Sequence, residues 1–224
     1  MAETKDKLVL GYWKTQGRAH PTRWLLAYHK IDWEDKFYTL DNRSEWFDKD
    51  KPALQSDFPN LPYIKDGDKV ITESAAVIQY AALKTGNKDL LGKNTSNAIH
   101  IAQLVSFLND SRLALLGLLT NKEYEKVRDD YLNEKMEPFM TKLSKRLGEK
   151  DYLLGYLTYV DFEAFARIDV LTRMSPEFIA KWPNLQKFHE RFNNSEGIKA
   201  YRKSENYPKL VGPPAFLVWT GEEK

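Results

Sequence analysis

Asp57-Phe58-Pro59-Asn60-Leu61-Pro62-Tyr63, followed one short hairpin later by Thr72-Glu73-Ser74, is the stretch that decides the fold of this chain. A proline held in an extended turn just ahead of a strand exposes the backbone N–H and C=O of the residue before it. Leu61 can then pair with another peptide backbone as a neighbouring strand would. Pro62-Tyr63-Ile64-Lys65 and Lys69-Val70-Ile71 flank Asp66-Gly67, a strong hairpin signal. Thr72 or Glu73 caps a helix that runs through Ala75–Ala82 and ends near Gly86. The free N–H groups and the dipole at Glu73-Ser74 attract a carboxylate. A peptide ladder beside an anion site suits a small acidic peptide.

Upstream, Lys7-Leu8-Val9-Leu10-Gly11-Tyr12-Trp13 reads as a strand, and Pro21 stands near the start of an amphipathic run, Arg23 to His29. Glu34 to Leu40 alternates as a second strand. The order is β-α-β, then β-β-α, with an irregular, charge-rich segment from Asp41 to Asn60 between the two units. Downstream the signals are purely helical. A helix is expected from about Asn97 to Leu119. Tyr124, Val127, Tyr131, Leu132, Met136, Phe139, Met140, Leu143 and Leu147 step by three and four along one face, with Gly148 to end it. Thr158-Tyr159-Val160-Asp161 is a capping-box pattern opening a further long helix, in which Asp161 is structural rather than catalytic. Short helices follow near Pro176–Lys181 and Asn184–Phe192, and the proline-bearing tail from Pro208 is irregular. The expectation is an α/β domain over residues 1–90 and an all-α domain over residues 91–224, divided by the polar linker Lys88–Thr95.

Composition narrows the function. The net charge of +2, from 34 basic and 32 acidic residues, is too even to argue for nucleic acid or an anionic membrane. No apolar run approaches the roughly 20 residues a spanning helix needs, and the polar start, Met1 to Lys7, shows no export signal. With no cysteine in 224 residues there is no disulfide framework, no thiol nucleophile and no thiolate metal site, so a thiol-disulfide oxidoreductase is excluded and a cytoplasmic location is the default. His20, His29, His100 and His189 share no metal spacing, so no metal is expected, and His20, near the pocket in chain order, is expected on the surface or supporting the site from behind rather than in the chemistry.

Gly11-Tyr12-Trp13, the Asp57–Tyr63 run, Glu73-Ser74, the stretch Tyr152 to Phe162 and the closing Val218-Trp219 resemble a cytosolic glutathione transferase of the mu class, with a shortened loop between Leu40 and Arg43. The resemblance covers almost the whole chain in order. It implies a thioredoxin-like N-terminal domain, a helical-bundle C-terminal domain that supplies the electrophile pocket, a homodimer, and conjugation of glutathione to apolar electrophiles, a detoxifying activity. Glutathione would be a co-substrate, and no cofactor is implied.

By the same resemblance Tyr12 donates to the glutathione sulfur, although on sequence alone it is one strand tyrosine among twelve. Trp13 lines the same pocket. Arg43, Trp46 and Lys51 surround the glycyl carboxylate, with Lys49 an alternative to Lys51. Asn60 and Leu61, ahead of a cis Pro62, pair with the peptide backbone. Ser74 holds the γ-glutamyl carboxylate, Glu73 faces the amine, and Asp110 reaches that amine from the other subunit. Leu113 lines the electrophile pocket, and Thr120 stands where many mu enzymes carry a tyrosine. Phe58 matches the aromatic that anchors the dimer, while Gln79 and Leu83 replace interface arginines. Two other classes compete: a non-catalytic carrier of glutathione or apolar ligands, and a glutathione-dependent isomerase or peroxidase using the same thiolate.

Overall fold

The computed structural model describes residues 7–221, so the polar N-terminal segment up to Asp6 lies outside the described residues. Strands β1 (Leu8–Trp13), β2 (Trp33–Tyr38), β3 (Tyr63–Asp66) and β4 (Lys69–Thr72) form one sheet in the order β2-β1-β3-β4. β1 reaches its parallel neighbour β2 through α1 (His20–Tyr28), and β3 runs antiparallel to both β1 and β4. Gly67 turns the hairpin at φ 57°, the left-handed geometry that the Asp-Gly signal anticipates. Gly11 lies under Tyr63, where an added Cβ would stand 2.1 Å from the ring, so β1 and β3 pack at a distance only glycine allows.

α1 is buried along most of its length, with the Trp24 ring 5.3 Å from that of Phe165 in the helical half. Arg23 carries an ion pair into this interior. Its Nε donates to Asp35 Oδ1 at 2.7 Å and its Nη1 to the Thr15 carbonyl at 2.8 Å. Burial offsets much of the attraction of such a pair. What it holds is geometry: α1, β2 and the turn after β1 move as one piece.

The segment from Asp41 to Asn60 is less irregular than expected. One wide helical stretch, Glu45–Asp50, runs on into α2 (Lys51–Ala53). Its charged sequence shows no apolar period, because tertiary contacts hold it rather than an amphipathic face. The Tyr38 hydroxyl donates to Asp50 at 2.6 Å, Lys36 pairs with the same carboxylate at 2.7 Å, and Trp46 stacks over Tyr63. The short loop ahead of it closes through Asn42 Oδ1, which accepts from the Thr39 N–H at 2.6 Å.

α3 (Ser74–Lys84) completes the first half, and the helical half begins with α4 (Thr95–Leu119), capped by Asn94. The apolar stripe from Tyr124 to Leu147 divides into α5 (Tyr124–Tyr131) and α6 (Glu137–Leu147) around one wider turn, Leu132–Met136. Pro138 lies in the first turn of α6 and has no N–H for the carbonyl four residues back, so the ladder shifts register there. α7 (Tyr159–Met174) opens at the expected capping box, and α8 (Pro176–Ile179) and α9 (Pro183–Asn193) follow. α10 (Glu196–Arg202) was not expected. It is short and contains Gly197, which brings its backbone against α1: a Cβ there would lie 1.9 Å from the Ala27 carbonyl. Docking, not propensity, makes this helix.

The tail has no regular structure, yet it is tied down. Leu210 and Val211 accept from the N–H groups of Gln16 (2.7 Å) and Gly17 (3.0 Å), and the Val218 N–H donates to Leu119 at 2.8 Å. Buried Asp169 of α7 anchors the same corner through Arg202, Arg173 and His189. Burial pushes its carboxyl up, but the His189 hydrogen bond and the two guanidinium charges outweigh that and hold it well below the carboxylate range.

Candidate active site

β1 delivers Tyr12 to the seam between the two halves. Its side chain is only 8% exposed, and its hydroxyl oxygen accepts the Arg18 N–H at 3.1 Å. A phenol oxygen that takes a backbone donor keeps its own O–H for another acceptor. Tyr12, Trp13, Arg18, Glu73 and Ser74 line both of two adjoining cavities, so that hydroxyl stands where they meet. Gly17 makes the turn that allows it: at φ +43° an added Cβ would sit 2.6 Å from Tyr12 Oη. Gly17→Ala is therefore expected to lower stability by about 1–2 kcal/mol, read as an earlier midpoint in urea; an unchanged midpoint would show that the turn yields without strain.

The smaller cavity, about 440 Å³, is polar and brings Trp46, Lys51, Asn60, Leu61, Glu73 and Ser74 together with Phe47. The Leu61-Pro62 bond is cis. Leu61 donates its N–H to Asn60 Oδ1 at 2.9 Å, and Asn60 Nδ2 donates to Glu73 Oε1 at 3.1 Å. Glu73 precedes α3 at φ 66°, a conformation that costs a non-glycine residue about 1–3 kcal/mol. It presents Ser74 and the unpartnered N–H groups of the first turn of α3 to the cavity. Pro62 stands behind Leu61 and does not line the cavity. Arg43 is exposed and lines neither cavity; Lys49 likewise stays outside, and Lys51 supplies the lining cation.

The larger cavity, about 660 Å³, lies between α4, α7 and the tail. α4 turns Val105, Asn109, Arg112, Leu116 and Thr120 toward it, spaced by three and four. Leu113 corrects the expectation. One residue past Arg112 it is rotated about 100° round the helix, leaving it 50% exposed and outside the cavity; Leu116 takes that role. Thr120 does line it. Asp110 points away from both cavities and is exposed. Phe58 is 71% exposed on the outer surface.

Several lining residues carried no sequence signal as site residues. Arg18, Arg112, Glu163 and Arg167 bring charge to the larger cavity, and Val211, Phe216 and Leu217 close it from the tail. Of these only Glu163 and Arg167 were visible as a same-face pair, four residues apart on a helix. His20 also lines it, buried rather than on the surface, with neither ring nitrogen partnered; burial and then the Arg23 charge push its pKa well below the usual value, so it is neutral. Among the described residues no cluster of His, Asp and Glu could hold a metal, and no helix is long and apolar enough to cross a membrane.

Residues 8–83 match the glutathione S-transferase N-terminal domain, and residues 109–205 match the glutathione S-transferase C-terminal domain. Glutathione S-transferase Mu 2 of Homo sapiens is 38% identical over 222 residues, which cover 95% of this chain and 98% of that protein. The chain belongs to the glutathione S-transferase family. Another relative, the class-mu 26 kDa isozyme 51 of Fasciola hepatica, is 33% identical over 89% of this chain and 90% of its own length. A solved Pi-class glutathione S-transferase of Onchocerca volvulus superposes with a TM-score of 0.80 at 25% identity, covering 94% of this chain and all of that one. These matches make the first half of this transferase its thioredoxin-like domain and the rest its helical domain, as the resemblance implied.

Proposed function

We propose that this transferase binds glutathione in the smaller cavity and directs its thiolate at an electrophile in the larger one. The position of the Tyr12 hydroxyl, at the junction of the two cavities with its oxygen already accepting the Arg18 N–H, carries this reading. A thiol of pKa about 8.5 is mostly protonated at neutral pH. A phenol O–H donated to the sulfur favours the thiolate, since a charged acceptor bonds more strongly than a neutral one. Leu61 offers the peptide ladder, Ser74 and the α3 N-terminus take the γ-glutamyl carboxylate, and Trp46 and Lys51 take the glycyl end. Glu73 faces the amine. Arg43 and Asp110 line neither cavity of the single chain; their proposed roles need, for Arg43, movement of its loop and, for Asp110, the second subunit. The thiolate attacks the electrophile directly, with no covalent enzyme intermediate, and much of the gain is proximity and charge stabilisation. Tyr12 and the bound peptide suffice for this step, so no cofactor is invoked.

The deciding experiment is conjugation of glutathione to a chloronitroaromatic. Turnover well above the uncatalysed rate is expected; no turnover across several electrophiles would leave a carrier.

The same reading places the protein in the cytoplasm as a homodimer of two-domain subunits divided at residues 90/91. Phe58 is its proposed anchor: the resemblance assigns it that place, and at 71% exposure its ring is free to insert into a partner. Phe58→Ser is expected to raise the dimer dissociation constant about 30-fold or more, corresponding to about 2 kcal/mol for a central aromatic. Analytical ultracentrifugation over a dilution series would read this, and an unshifted equilibrium would remove Phe58 from the interface.

A further inference from the structure

An electrophile cavity for purely apolar substrates needs no charge, yet this one holds three arginines. Arg112 projects from α4, Arg167 from α7, and Arg18 from the turn after Tyr12. The Nε atoms of Arg112 and Arg167 are buried without a hydrogen-bond partner. Among the described residues none of the three makes an ion pair; the nearest polar contact of Arg112 is a long one, 3.4 Å, from Nη2 to Asn109. Arg112 and Arg167 are half-buried and Arg18 is exposed; a guanidinium Nε withdrawn from water without a partner is costly.

Two carboxylates line the same cavity. Glu73 lies at its border with the smaller cavity, where it accepts from Asn60. Glu163 alone faces the arginines, and it too makes no ion pair among the described residues. Burial pushes its carboxyl up to about 7, against the pull of Arg167, Arg112 and Arg18, so it offsets their charge only in part near neutral pH. Burial and then Arg112 push the Arg167 guanidinium down to about 10, which still leaves it charged. Around this polar corner the walls are apolar: Val105, Leu116, Leu119, Val170 and Phe216.

We propose that the preferred second substrate is an apolar electrophile bearing a carboxylate, whose anion is received by Arg112 and Arg167, with Arg18 at the mouth. The inference rests on the larger cavity being the electrophile side. Guanidinium groups bind carboxylates through paired N–H donors, and a half-buried pair discriminates more than a fully exposed one. The anion holds the molecule by one end, so its reactive carbon is presented toward Tyr12 and the sulfur without the acid taking part in the bond change. Thiolate attack then forms the C–S bond and expels halide, or adds to an activated double bond whose resulting carbanion takes a proton from water.

The test uses unreactive probes first, so that it does not depend on turnover. Binding of 4-butylbenzoate and of 4-butylbenzamide is measured by calorimetry at pH 8, with and without saturating glutathione. The acid is expected to bind about tenfold more tightly than the amide, a difference of about 1.4 kcal/mol, in both conditions. Arg112→Gln and Arg167→Gln should each bring the ratio close to one, whereas Glu163→Gln, which removes the competing anion, should widen it. Equal affinity for acid and amide, or displacement of the acid by glutathione, overturns the inference. The second arm compares conjugation of 4-chloro-3-nitrobenzoate and 4-chloro-3-nitrobenzamide, each relative to its uncatalysed rate. A preference for the acid that disappears in Arg112→Gln is expected. Turnover of both without preference would sink the carboxylate site and leave the transferase reading standing. No turnover of either, with acid-selective binding retained, would do the reverse.

Discussion

Tyr12→Phe is expected to cut conjugation about 30- to 100-fold at pH 6.5 while changing glutathione affinity less than twofold. The hydrogen bond from a phenol to a charged acceptor contributes about 1.5–3 kcal/mol, and each 1.36 kcal/mol is one unit of thiol pKa. Without the phenol the bound thiol should return toward 8.5, so the deficit narrows as pH rises past that value and the thiol ionises unaided. Affinity is spared because Leu61, Ser74 and Lys51, not Tyr12, hold the rest of the tripeptide. The substitution also leaves the Arg18 N–H without its acceptor, which adds a loss of about 1 kcal/mol in stability. A pH–rate profile for both proteins decides the matter: parallel profiles with equal plateaus would take Tyr12 out of the mechanism.

Asp161→Ala should destabilise the protein by about 4 kcal/mol and leave the glutathione affinity of the folded fraction unchanged. The carboxylate is fully buried and accepts three hydrogen bonds, from the Leu153 N–H (2.8 Å), the Thr158 N–H (2.8 Å) and Thr158 Oγ1 (2.9 Å). Alanine strands the two N–H groups and the hydroxyl in the core, and each stranded donor costs about 1–3 kcal/mol. The effect depends on pH in a definite direction. Burial pushes the Asp161 carboxyl up to about 6, despite the hydrogen bonds from Leu153 and Thr158 that pull it down. The folded value therefore lies above the unfolded one near 3.9, so the contribution of Asp161 is complete below about pH 4, declines as pH rises through 6, and is flat beyond. Guanidinium unfolding of both proteins at pH 4.5 and 8 should show the larger difference at the lower pH. A difference under 1 kcal/mol at both would mean that the capping box is dispensable.

The elements that were legible in the chain are those with a local cause. The Asp66-Gly67 hairpin, the capping box at Thr158-Asp161 and the helix end at Gly148 each depend on a few adjacent residues. The lining of the smaller cavity follows a simple route, since Trp46, Lys51, Asn60, Leu61, Glu73 and Ser74 belong to one continuous part of the chain that folds back on Tyr12. α10 and the Glu45–Asp50 turn were not, because docking of Gly197 on α1 and of Asp50 on Tyr38 and Lys36 stabilises them from outside their own sequence. Leu113 was assigned to a helix face by alignment of residue positions; the rotation of α4 about its axis put Leu116 there instead.

Taken alone, the order of residues determined the two-part architecture and the family, because turn chemistry, helix period and an ordered series of short motifs each act over short separations along the chain. Only the tertiary structure decided which charges line the larger cavity. Arg18, Arg112, Glu163, Arg167 and Phe216 are spread over some two hundred residues and belong to four different segments. Only Glu163 and Arg167 are linked locally, four residues apart on α7; the others join them, and their charges face one cavity, only once the chain is packed.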